Sequence, residues 1–100
     1  MSDPDIQVSR AQPYRSTPIF DENSLPVALR ERHDTKPGVW GLIRVLEGRL
    51  KLTILDPLYE AILEPDRPGV VIPQQPHFVT PIGAMKMQVD FYKEPPSTEP

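Results

Sequence analysis

Apolar and polar residues alternate with a period of two through much of the chain. Leu50, Leu52 and Ile54 alternate with Lys51 and Thr53, and Met85, Met87, Val89 and Phe91 alternate with Lys86, Gln88, Asp90 and Tyr92. That period sets each group on its own face of a strand. Val39–Glu47 is rich in β-branched and aromatic residues and is followed by Gly48. A hairpin joining Val39–Glu47 to the Leu50 strand is therefore expected, with Gly48 supplying the positive φ of a tight turn. Tyr59–Leu63, Val70–Ile72 and a segment opening at His77 read as further strands, separated by Asp56-Pro57, by the run 64–69 and by the turn Pro73–Pro76. Ile82-Gly83-Ala84 reads as another turn, with Met85–Tyr92 as the last strand. Two readings compete just before the hairpin. A strand over Leu29–His33 places Glu31 and His33 on one face. A helical turn over Leu25–Leu29, capped by Ser24 with Pro26 in its first turn, is the alternative. About seven short strands with Gly/Pro turns, and no long helix, predict an all-β fold: a sandwich or a single small β-barrel of jelly-roll type.

Size and charge narrow the function classes. One hundred residues make one domain at most, which excludes a Rossmann-type methyltransferase or a (β/α)₈ barrel within this chain. The 14 prolines concentrate in tails and turns. Residues 1–16 and 94–100 are expected to be tails flanking a domain over 17–93. A net charge of -3, with bases alternating with acids, argues against a nucleic-acid partner. With no cysteine, disulfides, thiolate metal sites and cysteine nucleophiles are excluded, which fits a reducing compartment. The acidic start Met1-Ser2-Asp3-Pro4-Asp5 is no secretory signal, and no apolar run approaches a membrane span. A cytoplasmic protein without a membrane partner is the expectation.

Candidate chemistry centres on the two histidines, His33 and His77, each beside turn residues at the start of a strand. Barrel mouths are where such turns converge and where pockets form. Gly69, a few apolar residues, Pro73, a short turn and His77 have the shape of the second cupin motif, and a strand opened by His33 and closed by Val45-Leu46-Glu47-Gly48-Arg49-Leu50 has the shape of the first. The longer run is more specific: Leu25-Pro26, Glu31-Arg32-His33-Asp34-Thr35-Lys36-Pro37-Gly38-Val39-Trp40-Gly41, Val45–Leu50, Pro73 with His77, and Phe91-Tyr92. Over about residues 17–93 the chain resembles the TehB/YeaR-like domain family. That domain stands alone in some bacterial proteins and precedes a tellurite-resistance methyltransferase in others. The resemblance implies a small cupin-like barrel, a bacterial stress setting of the tellurite-resistance kind, and no transferable methyltransferase activity. A metal cupin carries a His-x-His pair, a Glu shortly after, and the His of the second motif. Here the second histidine of the pair is Thr35 and the Glu position falls near Gly41, so His33 and His77 alone remain of the four.

A catalytic divalent metal takes about three protein ligands plus water. His33 and His77 would supply two, and the third would be Glu31 or, on the last strand, Asp90 or Gln88. Two histidines and a carboxylate suit Fe, Zn or Mn, and Ni is a further candidate cofactor. The plain alternative makes each histidine a satisfied polar residue bonded to a turn. Lys36 is either a solvated turn charge or a cation offered to an anionic ligand, and Trp40 either core or a ligand platform. Met85 and Met87 at period two read as core filling. No nucleophile elbow or phosphate loop is present. These features favour a module binding a small molecule or metal ion. A metal-dependent cupin-type enzyme, an oxygenase or isomerase, is the alternative, and a purely structural domain the third reading. A homodimer is expected, through the outward positions of the last strand or of Tyr59–Leu63.

Overall fold

The computed structural model describes residues 12–96. Its elements are β1 (Arg15–Ser16), β2 (Phe20–Asp21), α1 (Val27–Arg30), β3 (Trp40–Leu55), β4 (Leu58–Leu63), β5 (Gly69–Val71) and β6 (His77–Tyr92). The all-β class holds. The strands form one antiparallel sheet with the path β1–β6–β3–β4, β2 also lying on β6 and β5 also on β3. Neither end of that path pairs with the other, so the described strands make an open sheet rather than the closed barrel the strand pattern suggests.

Two long strands dominate. β3 and β6, 16 residues each, pair antiparallel from Trp40↔Tyr92 to Ile54↔His77. The hairpin turn expected at Gly48 is absent, because β3 runs straight through it. Gly48 instead lies where the register shifts, between Val45 and Arg49. It has φ +76, and a Cβ there would run into the carbonyl oxygen of Ala84. Gly83, φ +66, lies in the facing stretch of β6, in place of the second expected turn. Both glycines permit bends inside continuous strands rather than reversals between strands, which is how bulges act.

The bend brings the two halves of the β3–β6 ladder into one core. Ile43 and Val45 from one half of β3 share a core with Leu50, Leu52 and Ile54 from the other, and Val71, Val79, Met87 and Val89 complete it. Parity changes across the bulge, from odd to even inward positions on β3, as one extra residue requires. Gly69, paired with Ile43, packs on Leu52 and Leu63. Leu50, Leu63, Met87 and Val71 are fully buried; each such burial contributes about 2 kcal/mol.

Of the segment read as a strand over Leu29–His33, Leu29 and Arg30 belong to the helical turn α1, Glu31 and Arg32 form a bend, and His33 makes an isolated bridge to His77. Pro26 precedes α1 at φ -59, and Glu31 ends it in extended conformation. Leu25 is buried, and Leu29 packs on the core. Ser24 does not cap α1: its hydroxyl accepts the Asp21 amide, while the Asp21 carboxylate accepts the amides of Asn23 and Ser24. Those bonds hold the Asp21 carboxyl below its ordinary value of 3.8. Arg15 and Ser16, read as tail, pair with Phe91 and Asp90 of β6. The rest of the tail readings, at 1–11 and 97–100, lies outside the described residues.

Candidate functional site

The turn Pro73–Pro76 delivers His77 into β6 beside the segment that follows α1. There His33 and His77 form a reciprocal backbone bridge, each amide donating to the other's carbonyl at 3.0 and 2.8 Å. The two imidazoles sit side by side, centroids 4.1 Å apart and planes tilted by 55°. Each ring is pinned in the same way. Nδ1 of His33 lies 2.9 Å from the carbonyl oxygen of Glu31, and Nδ1 of His77 lies 2.7 Å from that of Gln75. A carbonyl only accepts, so both rings carry their hydrogen on Nδ1 and present Nε2 as a lone-pair acceptor when neutral. Metal-binding histidines are oriented by the same kind of bond. His77 is buried, and that desolvation lowers its pKa below the ordinary 6.5, reinforced by the neighbouring His33 and opposed by the Gln75 carbonyl and Asp34. The His77 ring is thus largely neutral at pH 7.

The histidines line a cavity of about 260 Å³. Its walls are apolar, among them Ile43, Val71, Val79, Met87 and Val89, and the exposed residues Asp34 and Lys36 mark its open end. Thr35 and Gly41, the two positions where the resemblance to metal cupins expects ligands, also line it. They are neighbours: a Cβ on Gly41 would lie 3.9 Å from Thr35 Cγ2. All four motif positions therefore converge on one cavity, with two of them carrying no ligand. The Thr35 hydroxyl donates to the Ile72 carbonyl at 3.1 Å and accepts the Gln74 amide at 3.0 Å. It staples the Pro73–Pro76 turn to the His33 segment and so helps set the two rings together.

The structure separates the other nominated residues. Lys36 lines the cavity; Glu31 does not, and only its main-chain carbonyl meets His33. The parity that puts the Glu31 carboxylate on the His33 face belongs to a strand that does not form. Asp90 and Gln88 lie on the opposite face of β6 from Met87, Val89 and Phe91, which line the cavity. Asp90 is bound there by Arg44 Nε at 2.7 Å and by the Ser16 hydroxyl at 2.7 Å, and Gln88 accepts from Arg44 at 2.6 Å. Trp40 is likewise not among the cavity residues. Among the described residues no group of three His, Cys, Asp or Glu side chains could hold a metal ion. Tyr14 and Arg15 do line the cavity, with Arg15 Cζ 5.9 Å from the Phe91 ring centre. Their place in a polar, proline-containing stretch hid them, and the lone aromatic Tyr14 was the one available signal.

The TehB-like domain profile matches residues 15–89. A probable S-adenosyl-L-methionine-dependent methyltransferase TehB from Haemophilus influenzae is 37% identical over 57 residues, 53% of this chain and 20% of that protein. The chain thus spans about a fifth of this curated relative's length. The crystal structure of TehB from Haemophilus influenzae superposes with a TM-score of 0.76 at 28% identity, covering 85% of this chain and 32% of that one. A protein of Escherichia coli (strain K12) matches at TM-score 0.77 and 22% identity, over 95% of this chain and 98% of its own. FeII HppE matches at TM-score 0.56 and 19% identity, over 73% of this chain and 40% of that one. The last two likenesses are of fold alone.

Proposed function

The chain belongs to the TehB-like domain family, and from that premise we propose that it is a cupin-like binding module whose pocket holds a small organic molecule against His33 and His77. The observation that carries this reading is the pair of imidazoles, each pinned through Nδ1 to a main-chain carbonyl and both lining an apolar cavity. A ligand with an apolar body and a hydrogen-bond donor suits that arrangement, and Lys36 and Arg15 favour one that also carries negative charge. The residues present do not fit a complete metal centre, since Thr35 and Gly41 stand at the two remaining ligand positions. The paired imidazoles support a second reading, in which His33 and His77 hold a divalent ion jointly with a bound molecule. The relatives' methyltransferase name does not carry over to a chain spanning a fifth of their length. A soluble cytoplasmic role in bacterial stress of the tellurite-resistance kind follows by family analogy.

A thermal-shift screen of small organic acids and alcohols tests the first reading. Binders are expected to raise the Tm of the wild type, and His77→Ala and Lys36→Ala to weaken the shift. Equal shifts in wild type and His77→Ala would overturn it. Elemental analysis of the same preparations separates the second reading, which requires stoichiometric metal in the presence of ligand and its loss in His77→Ala.

A further inference from the structure

The two edges of the sheet are treated differently. Along β6 the segment 14–21 covers the edge with β1 and β2. β4 ends the sheet path on the other side, paired to β3 alone. An edge strand leaves its outward amides and carbonyls unpaired, and proteins blunt such edges with lysine, proline, bulges or a covering segment. Among the described residues β4 has none of these. It reads Leu-Tyr-Glu-Ala-Ile-Leu, without a bulge in its pairing to β3, and Leu58 and Tyr59 are 74% and 60% exposed. Its one charge, Glu60, lies 3.7 Å from Lys51 on its own sheet. An apolar groove whose lining includes Leu52, Ile54, Tyr59 and Ala61 runs beside it.

We propose that this edge is an interface between two copies of the chain, joined by antiparallel pairing of β4 with β4 about a two-fold axis at Ala61. An edge strand is self-complementary about such an axis, the commonest closed symmetry. Charge selects the register. To keep like faces together across the junction, the axis must pass through a residue rather than between two. An axis at Glu60 would set two Glu60 carboxylates opposite each other, and an axis at Ile62 would set Glu60 opposite Glu64 of the partner subunit. Like charges directly opposed destabilise a sheet. At Ala61, Glu60 faces Ile62 of the partner subunit, Tyr59 faces Leu63 of the partner subunit, and no like charges meet. Lys51, paired with Ile62 on its own sheet, then shares a row with Glu60 of the partner subunit. The pairing joins two four-strand paths into one continuous sheet and leaves the histidine cavity, which β4 does not line, open in each copy.

The chain has no cysteine, so a single introduced thiol reads the register directly. Residues opposed in an antiparallel sheet have Cα atoms about 4.5–5.5 Å apart, within disulfide range. Ala61→Cys is expected to form a disulfide-linked dimer under mild oxidation, and Glu60→Cys to do so at least about tenfold more slowly. By light scattering and sedimentation over micromolar to millimolar concentrations, the wild type is expected to have twice the chain mass. The doubly substituted Leu58→Glu/Ile62→Glu chain sets like charges opposite Glu64 of the partner subunit and Glu60 of the partner subunit, and is expected to have the chain mass, with an unchanged far-UV spectrum. A wild type that stays monomeric throughout overturns the proposal, as does a dimer that persists in the double-glutamate variant or cross-links better through residue 60. If the double-glutamate variant does not fold, the cysteine pair decides alone.

Discussion

Two polar clusters occupy opposite faces of β6, and they differ in what each leaves unspent. On the outer face, Asp90 takes bonds from Arg44 and Ser16, and Gln88 accepts from Arg44 and donates to the Thr17 carbonyl. Every element of that cluster is used to hold something: the Ser16–Thr17 segment to β6, and β6 to β3. On the inner face, each histidine uses Nδ1 to fix its ring, and both rings line a cavity. Both clusters are rich in the residue types that bind metals and ligands. A cluster whose bonds are all answered within the chain is a clasp, and one with fixed orientation and a nitrogen not tied to the main chain is the one the proposed function assigns to a ligand.

The largest expected effect comes from completing the inner cluster. A Thr35→His/Gly41→Glu variant restores the two missing ligand types at positions already lining the cavity. It is expected to bind Zn or Ni about a hundredfold more tightly than the wild type, about 2.8 kcal/mol, measured by competition with a chromogenic chelator. An unchanged affinity would show that the four positions do not converge on one ion. Removing Asp90 from the outer cluster comes next. Asp90→Ala is expected to cost about 2 kcal/mol in urea unfolding, less than a fully buried pair because the Arg44 side chain is 40% exposed. The same change should leave ligand-induced Tm shifts intact; a lost shift would merge the clusters that the structure separates. Ser16→Ala removes one bond of the clasp and is expected to cost about 1 kcal/mol, with faster hydrogen exchange at the Thr17 amide. The smallest effect is in pH. The folded pKa of His77 lies below its unfolded value near 6.5. Stability is therefore full above that value and falls as pH drops below it, because the unfolded chain takes up the proton first, until the folded ring protonates too. His77→Gln should flatten that part of the curve, and an equal slope in the variant would place the effect elsewhere.

The all-β class was legible because alternation survives burial on one face, as at Leu50–Ile54 and Met85–Phe91. The proximity of His33 and His77 follows from the two motifs that carry them. The glycines mislead. Gly48 and Gly83 need positive φ in a turn and in a bulge alike, and local sequence does not distinguish a strand that reverses from one that bends. The third-ligand nominations fail for related reasons. Glu31 is placed by the parity of a strand that does not form, since α1 takes Leu29 and Arg30 and a bend follows, and Asp90 is nominated by residue type although its alternation with Val89 and Phe91 already puts it on the other face. Arg44, alone among the apolar residues 42–46, is the sign that the outer face holds a charge partner.

The backbone bridge between His33 and His77 joins segments that meet only after β6 has found its register on β3. A slip of one residue in that pairing would turn His77 to the outer face, while its Met87 and Val89 neighbours would leave the core with it. The paired-histidine arrangement therefore requires long-range strand pairing in this register. Its two imidazoles serve as a built-in reporter of correct assembly: their ring signals, close enough to perturb each other in the native chain, should separate as soon as the register is lost.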